Sequence, residues 1–466
     1  MKRQRPRLAV VYDRGAASVG DVAVGLRDVA DIVFVLPGTA HATKARPVCE
    51  QLGSVLDLSG DPAADARALA GLGVQGVLTF SDPMLRIAAD LAASLELPFH
   101  EPATALRLTD KVAQRRALRE AGIENVRSHP IAGRDDWAAA VASVGLPAVI
   151  KPTWGEGSRC TYLIHEGDGI AEMVDRALAE APPATGPRLI LEEMLTGRTD
   201  VRYGDYVSVE SLSTAEGAVH LAITGKFPLV APFREPGQFW PAPVETDEAE
   251  EILRLTTRAL KALGVVTGLS HVEIKLTPGG PRIIEVNGRL GGHINELSRR
   301  ACGVDLVTLA GHQALGAETA VTPLRPSGVH YQHHTLAPVQ PCRLLGIDGA
   351  AAVRRLPGVL GHRQFVRPDD DLPGGVMTQE LDILWGQCPD HDAMSRSLEQ
   401  ALALLSYRFR FADCERSLKA AELARSAPPH SHTATEGAPD EHGSPGPAGA
   451  RADTAPVRRD RRPVLG

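Results

Sequence analysis

Apolar positions in the first hundred residues come in short runs separated by Ala-rich amphipathic stretches. Residues 8–12, 32–36 and 74–80 read as strands, and 62–71 and 83–95 as helices. That alternation predicts a parallel sheet with helices on its faces. Residues 103–121 carry one long helical pattern that stops at Gly122, where a new unit should begin. Strand patterns dominate from 145 to 230 (147–151, 188–193, 206–212 and 219–224), with a helix at 170–180 ahead of Pro182-Pro183. Residues 248–263 form an amphipathic helix closed by Gly264, and 269–286 read as a hairpin turning at Thr277-Pro278-Gly279-Gly280-Pro281. Helices follow at about 294–302 and 305–315. A smaller β-rich module then runs from about 320 to 412, with a helix at 391–405.

Length and composition narrow the class. A chain of 466 residues is longer than one hydrophobic core supports, so several domains are expected. The longest apolar runs are only strand length, and the basic start at residues 1–7 leads into too few apolar residues for a signal peptide. A cytoplasmic protein with no membrane partner is expected. A net charge of −7, with no basic stripe interleaved with aromatics, argues against nucleic acid. The 6 cysteines are scattered without a C-x-x-C pair and read as reduced thiols. From about residue 426 the composition collapses to Pro, Gly, Ala, Ser, Thr, His and charges, which predicts a disordered tail. Arg is written so consistently that the few lysines, among them Lys111, Lys151, Lys226 and Lys275, stand out as places where a compact ammonium is wanted.

The hairpin carries the sharpest signal. With its turn centred on Gly279, antiparallel register sets Glu273 opposite Glu285 and His271 opposite Asn287. Alternation then puts Glu273, Glu285 and Asn287 on one face, with Val272, Ile274, Ile284 and Val286 on the other. Facing carboxylates about 4.5–5.5 Å apart at Cβ repel. Two carboxylates and an amide carbonyl suit Mg²⁺, which completes its shell with water and substrate phosphate. The same pattern also fits a solvated acidic face with Lys275 as partner. Immediately after it, Asn287-Gly288-Arg289-Leu290-Gly291-Gly292 offers a guanidinium fork beside glycines that allow close approach of a ligand.

Other features are weaker singly. Lys151 ends an apolar strand and precedes Thr153-Trp154-Gly155-Glu156-Gly157-Ser158-Arg159, a loop able to wrap phosphate oxygens. Leu189–Leu195 ends in Glu192 and Glu193, where an acid and backbone amides could meet an adenine. In Val329-His330-Tyr331-Gln332-His333-His334, His330 and His334 share a face while His333 points away, so three ligands are not presented together. Trp154 and Trp240 are candidates for a pocket wall.

Taken in order, Asp110-Lys111, Ile150-Lys151-Pro152 with its Gly/Ser loop, Glu192-Glu193-Met194-Leu195, and His271-Val272-Glu273 with Ile284-Glu285-Val286-Asn287-Gly288-Arg289 resemble the ATP-grasp superfamily, and within it the carboxylate–amine ligases that include L-amino-acid ligases. The resemblance implies an α/β (α+β) chain: a Rossmann-like domain at 1–108, an ATP-grasp domain at 109–318 with a lid at about 123–195, a β-rich lobe at 319–424 and a tail at 425–466. It implies ATP and Mg²⁺ as cofactors, two ions, with Mn²⁺ as a substitute, and small carboxylate and amine substrates on a homodimer.

By the same resemblance Lys111, Lys151 and Lys226 face the nucleotide. Gly155, Gly157, Ser158 and Arg159 close over its phosphates, and Glu192, Glu193, Met194 and Leu195 hold adenine. Asp205 or Asp200 takes the ribose. Glu273, Glu285 and Asn287 ligate metal, and Arg289 with Lys151 act on the carboxylate and acyl phosphate. Cys160 departs from the family loop, which commonly has Gly there. The implied reaction phosphorylates a carboxylate and then transfers the acyl group to an amine. Rival readings are formate or bicarbonate activation on the same scaffold, and a non-catalytic ATP-binding module. A nicotinamide enzyme is excluded, since residues 8–15 contain no G-x-G-x-x-G.

Overall fold

In the computed structural model, which describes residues 5–166, 170–181, 186–317 and 320–425, the N-terminal region builds a four-stranded parallel sheet. Its order is Ser54–Asp57, Asp31–Leu36, Arg7–Val11, Gly76–Leu78. Alternation sorts its side chains as expected of a sheet covered on both faces. Leu8 and Val10 pack with Val22, Leu26 and Val307, while Ala9 and Val11 pack with Leu69, Ala88 and Leu91. The tail expected from residue 426 lies outside the described residues.

Two helical expectations are corrected in ways that matter for the site. The stretch 83–95 opens as a 3₁₀ turn, Asp82–Met84, before the α-helix Leu85–Ser94, and this leaves Asp82 at the C-terminal side of the parallel sheet. The stretch 103–121 is two helices, Pro102–Thr109 and Lys111–Glu120. Between them Asp110 is extended (φ −113°, ψ 111°), and its carboxylate accepts the N–H of Ala113 at 2.8 Å. That N-cap makes Lys111 the first residue of the second helix.

A separate antiparallel sheet has the order Ser128–Ile131, Leu189–Glu193, Ala148–Pro152, Tyr162–Ile164. The largest sheet has eight antiparallel strands in the order Gly280–Asn287, Gly268–Thr277, Tyr206–Thr214, Gly217–Lys226, Gly237–Trp240, Val329–Leu336, Glu380–Cys388, Val359–Gln364. It runs unbroken across the boundary expected at 319. The helix Thr246–Leu263 buries Ile252, Leu255, Ala259, Leu260 and Leu263 at helical spacing against Val272, Ile274 and Val286 of the hairpin, and ends at Gly264 in the left-handed region (φ 80°). The remaining sheet comprises Asp371–Leu372, Cys342–Asp348, Ser406–Arg410 and Glu415–Lys419, packed on the helix His391–Leu404.

The hairpin pairs His271 with Asn287, Val272 with Val286 and Glu273 with Glu285, and then shifts register so that Ile274 meets Ile283. Its turn closes one residue earlier than expected, with Thr277 opposite Gly280, and a bulge restores the carboxylate pair. Ile284 is therefore not on the apolar face. Ile283 fills that core position, fully buried, and Ile284 faces the cavity described next.

Candidate active site

A cavity of about 660 Å³ opens where the eight-stranded sheet, the four-stranded sheet carrying Ala148–Pro152 and the C-terminal side of the parallel sheet meet. Every ligand-binding, metal or catalytic residue singled out from sequence lines it except Asp205 and its alternative Asp200, and so does Trp154, though not Trp240. Asp205 is drawn away by Lys275, whose ammonium donates to its carboxylate at 2.7 Å, and Asp200 pairs with Arg198 at 3.3 Å. The expected ribose acid is thus off the wall. The same bond removes Lys275 as the partner of the paired glutamates.

Those glutamates are each met by a cation. Lys111, at the start of its helix, reaches Glu285 at 2.9 Å and donates to the Gly155 carbonyl at 3.1 Å. Burial works against its charge, but Glu285 outweighs burial and raises the ammonium above its ordinary value. Glu273 lies 3.5 Å from His271, whose other ring nitrogen contacts both Glu210 oxygens at 2.9 and 3.0 Å. Burial opposes the imidazolium, yet Glu210 and Glu273 push His271 up to about 9. Gly291 is what lets the chain pass here: a Cβ on it would sit 2.4 Å from the His271 ring. Glu273, Glu285 and buried Asn287 present only oxygen donors toward the cavity, and this set fits Mg²⁺.

Glu192 is less free than its sequence suggests. Arg115 grips it with a two-pronged contact at 2.8 and 2.9 Å, and Lys151 adds a third at 2.8 Å. Burial alone would raise this carboxyl, but Arg115 and Lys151 hold it far below the carboxylate range. Met194 and Leu195 line the cavity next to it. Glu193, beside them, binds Arg127 at 2.6 Å. Lys226, almost wholly buried, donates to Glu235 and, at 3.0 Å, to Gln238.

The glycine-rich loop turns through left-handed backbone at Gly157 (φ 67°), Ser158 (φ 56°) and Cys160 (φ 50°). At Cys160 this is a conformation glycine adopts freely and cysteine rarely. The loop is pinned at two points: the Ser158 hydroxyl donates to the Phe233 carbonyl at 2.6 Å, and the Thr378 N–H donates to the Gly157 carbonyl at 3.1 Å. Glu156, just before them, lies 3.8 Å from Arg289, whose Nε donates to Asp82 at 2.7 Å. Trp154 lines the cavity, whereas Trp240 is buried in the core with its indole N–H on Thr224 at 2.7 Å.

Arg115, Asp82, Glu156, His271 and Glu210 escaped the reading of the sequence as site residues. Two had usable signals. Arg115 is four residues after Lys111 on one helix face, and Asp82 follows a parallel strand at its carboxyl end, where ligand crevices form in α/β sheets.

Residues 110–321 match the family model described as carbamoyl-phosphate synthase L chain, ATP binding domain. This is an ATP-grasp fold. The chain superposes on the crystal structure of an L-amino acid ligase from Bacillus licheniformis with a TM-score of 0.69 at 19% identity, covering 87% of this chain and 98% of that one. In sequence it is 27% identical over 305 residues to the uncharacterized protein y4rH of Sinorhizobium fredii, covering 63% of this chain. It is 24% identical over 284 residues to the alanine–anticapsin ligase of Bacillus subtilis, covering 58% of this chain. The match spans 60% and 58% of the length of those two relatives. No helix among the described residues is long and apolar enough to cross a membrane.

Proposed function

We propose that this protein is an ATP-dependent carboxylate–amine ligase that joins an amino-acid-like carboxylate to an amine, with ADP and phosphate as co-products. The observation that carries this reading is the convergence, on one cavity, of two lysines, a paired-carboxylate hairpin, a glycine-rich loop and an arginine. The relatives named alanine–anticapsin ligase and L-amino acid ligase support the same reaction class.

Lys111 and Lys151 neutralise phosphate charge, and the Gly155–Arg159 loop supplies N–H groups above it while excluding water. Glu273, Glu285 and Asn287 would hold Mg²⁺, which supplies charge neutralisation on the phosphates and templating of the in-line transfer. Arg289 orients the substrate carboxylate as a two-pronged donor, exchanging Asp82 for it. The carboxylate oxygen attacks the γ-phosphorus and ADP leaves. The amine nitrogen then attacks the acyl carbon and phosphate leaves. No side-chain nucleophile is needed.

The test is a phosphate-release screen of amino-acid pairs with Mg-ATP. ADP and phosphate should appear only when a carboxylate and an amine are both present, with a condensed product visible by mass spectrometry. Turnover with bicarbonate or formate in place of the amino-acid carboxylate would overturn the substrate class. Stoichiometric ATP binding without turnover under any pairing would leave a binding module.

A further inference from the structure

One part of the cavity wall has no task in the ligation reading. There His293, His334 and Glu380 come together, with one nitrogen of each ring and a carboxylate oxygen all within 4.8 Å of one another. We propose that His293, His334 and Glu380 form a binding site for one divalent transition-metal cation of the zinc class, with a donor set separate from the carboxylate hairpin.

Three unrelated pieces of chain build the cluster. His334 comes from the strand Val329–Leu336 and Glu380 begins the neighbouring strand Glu380–Cys388. His293 follows Gly291-Gly292 and precedes the helix Ile294–Cys302. Its backbone is left-handed, φ 60°, a state that a non-glycine residue holds only when its surroundings impose it and that clusters at functional sites.

The two nitrogen–oxygen spacings match a tetrahedral site. His293 Nε2 lies 3.2 Å, and His334 Nδ1 3.4 Å, from the same oxygen of Glu380. With metal–nitrogen bonds of about 2.0–2.1 Å and metal–oxygen bonds of about 2.0–2.2 Å, neighbouring donors of a tetrahedral zinc ion stand about 3.4 Å apart.

Without a cation the cluster is poorly satisfied. His334 is 4% exposed, and its Nδ1 makes no hydrogen bond although it faces the carboxylate oxygen. A cation bound between the two would give both atoms a partner.

Two imidazoles and one carboxylate suit zinc, whereas Mg²⁺ prefers the all-oxygen donors of the hairpin. His293 and Glu380 keep side-chain exposures of 33% and 26% while lining the cavity. The fourth position therefore faces the cavity, the arrangement of zinc sites that bind substrate or water rather than of closed structural ones.

Chelator-treated full-length protein is titrated with Co²⁺, without nucleotide or Mg²⁺, and followed by visible absorption. One equivalent should give the intense bands of a four-coordinate site and be displaced by Zn²⁺. His334→Gln and Glu380→Gln should each weaken Co²⁺ binding by more than about 100-fold, and His293→Gln, on the exposed edge, should change the band pattern. Near-UV circular dichroism of each metal-free variant should match the parent. Glu285→Gln should leave the titration unchanged, which separates this outcome from that of the nucleotide site. The proposal is overturned by a weak six-coordinate spectrum, by binding that survives His334→Gln in the folded variant, or by binding that disappears only in Glu285→Gln.

Discussion

Two stretches of one cavity wall treat charge in opposite ways. Around the hairpin and Glu192 the ionised groups have matched partners: Lys111 with Glu285, Arg115 and Lys151 with Glu192, His271 between Glu210 and Glu273. Around Glu380 two imidazole nitrogens crowd one oxygen and one of them bonds to nothing. A buried network that is fully satisfied holds its members in place, and an incomplete one stores unfavourable contacts until a ligand arrives. The first stretch is preorganised for a highly charged ligand. The second leaves one buried ring nitrogen without a hydrogen bond.

Breaking the satisfied stretch should cost most. Arg115→Met leaves Glu192 buried with Lys151 alone and should lower unfolding free energy by about 3–5 kcal/mol, read from urea titrations. A cost below about 1 kcal/mol would show that the network is not holding the site. Glu285→Gln should reduce ATP-dependent turnover by on the order of 100- to 1,000-fold, measured by coupled ADP assay, with little loss of fold. Full activity in this variant would remove the metal assignment.

Glu156 sharpens the comparison through pH. Burial pushes its carboxyl up to about 7, against the pull of Arg289 and with help from Asp82. The unfolded chain ionises this group near its ordinary value while the folded chain still keeps the proton, so its contribution to stability is full below about 4.5 and is lost as pH rises to about 7. Glu156→Gln should remove a decline on the order of 1–3 kcal/mol between pH 5 and 7, seen as converging urea midpoints. An unchanged slope would place the proton elsewhere. The smallest effect is expected at the unsatisfied stretch: His334→Gln should change metal-free stability by less than about 1 kcal/mol, since no hydrogen bond is lost from Nδ1. A loss comparable to that of Arg115→Met would erase the contrast.

Local pattern made much of this legible. Glu273 and Glu285 could be set face to face because a half-buried hairpin admits one register, and a one-residue slip would expose its apolar side. The bulge was not legible, because Arg282-Ile283-Ile284 gives two adjacent isoleucines equal claim to the core and only packing decides between them. Asp110 as a cap was written in the chain but hidden inside a continuous helical pattern. The partners Asp82, Arg115 and Glu210 lie far along the chain from Arg289, Glu192 and His271, and nothing local specifies such pairings.

Because the acidic hairpin and the strands bearing His334 and Glu380 belong to one hydrogen-bonded sheet of eight strands, their donors sit on a common plate. Hinging one group toward the other would mean tearing strand pairs apart. The smaller four-stranded sheet carrying Lys151 is not paired to that plate; its glycine-rich loop is tied down by the bonds from Ser158 to Phe233 and from Thr378 to Gly157.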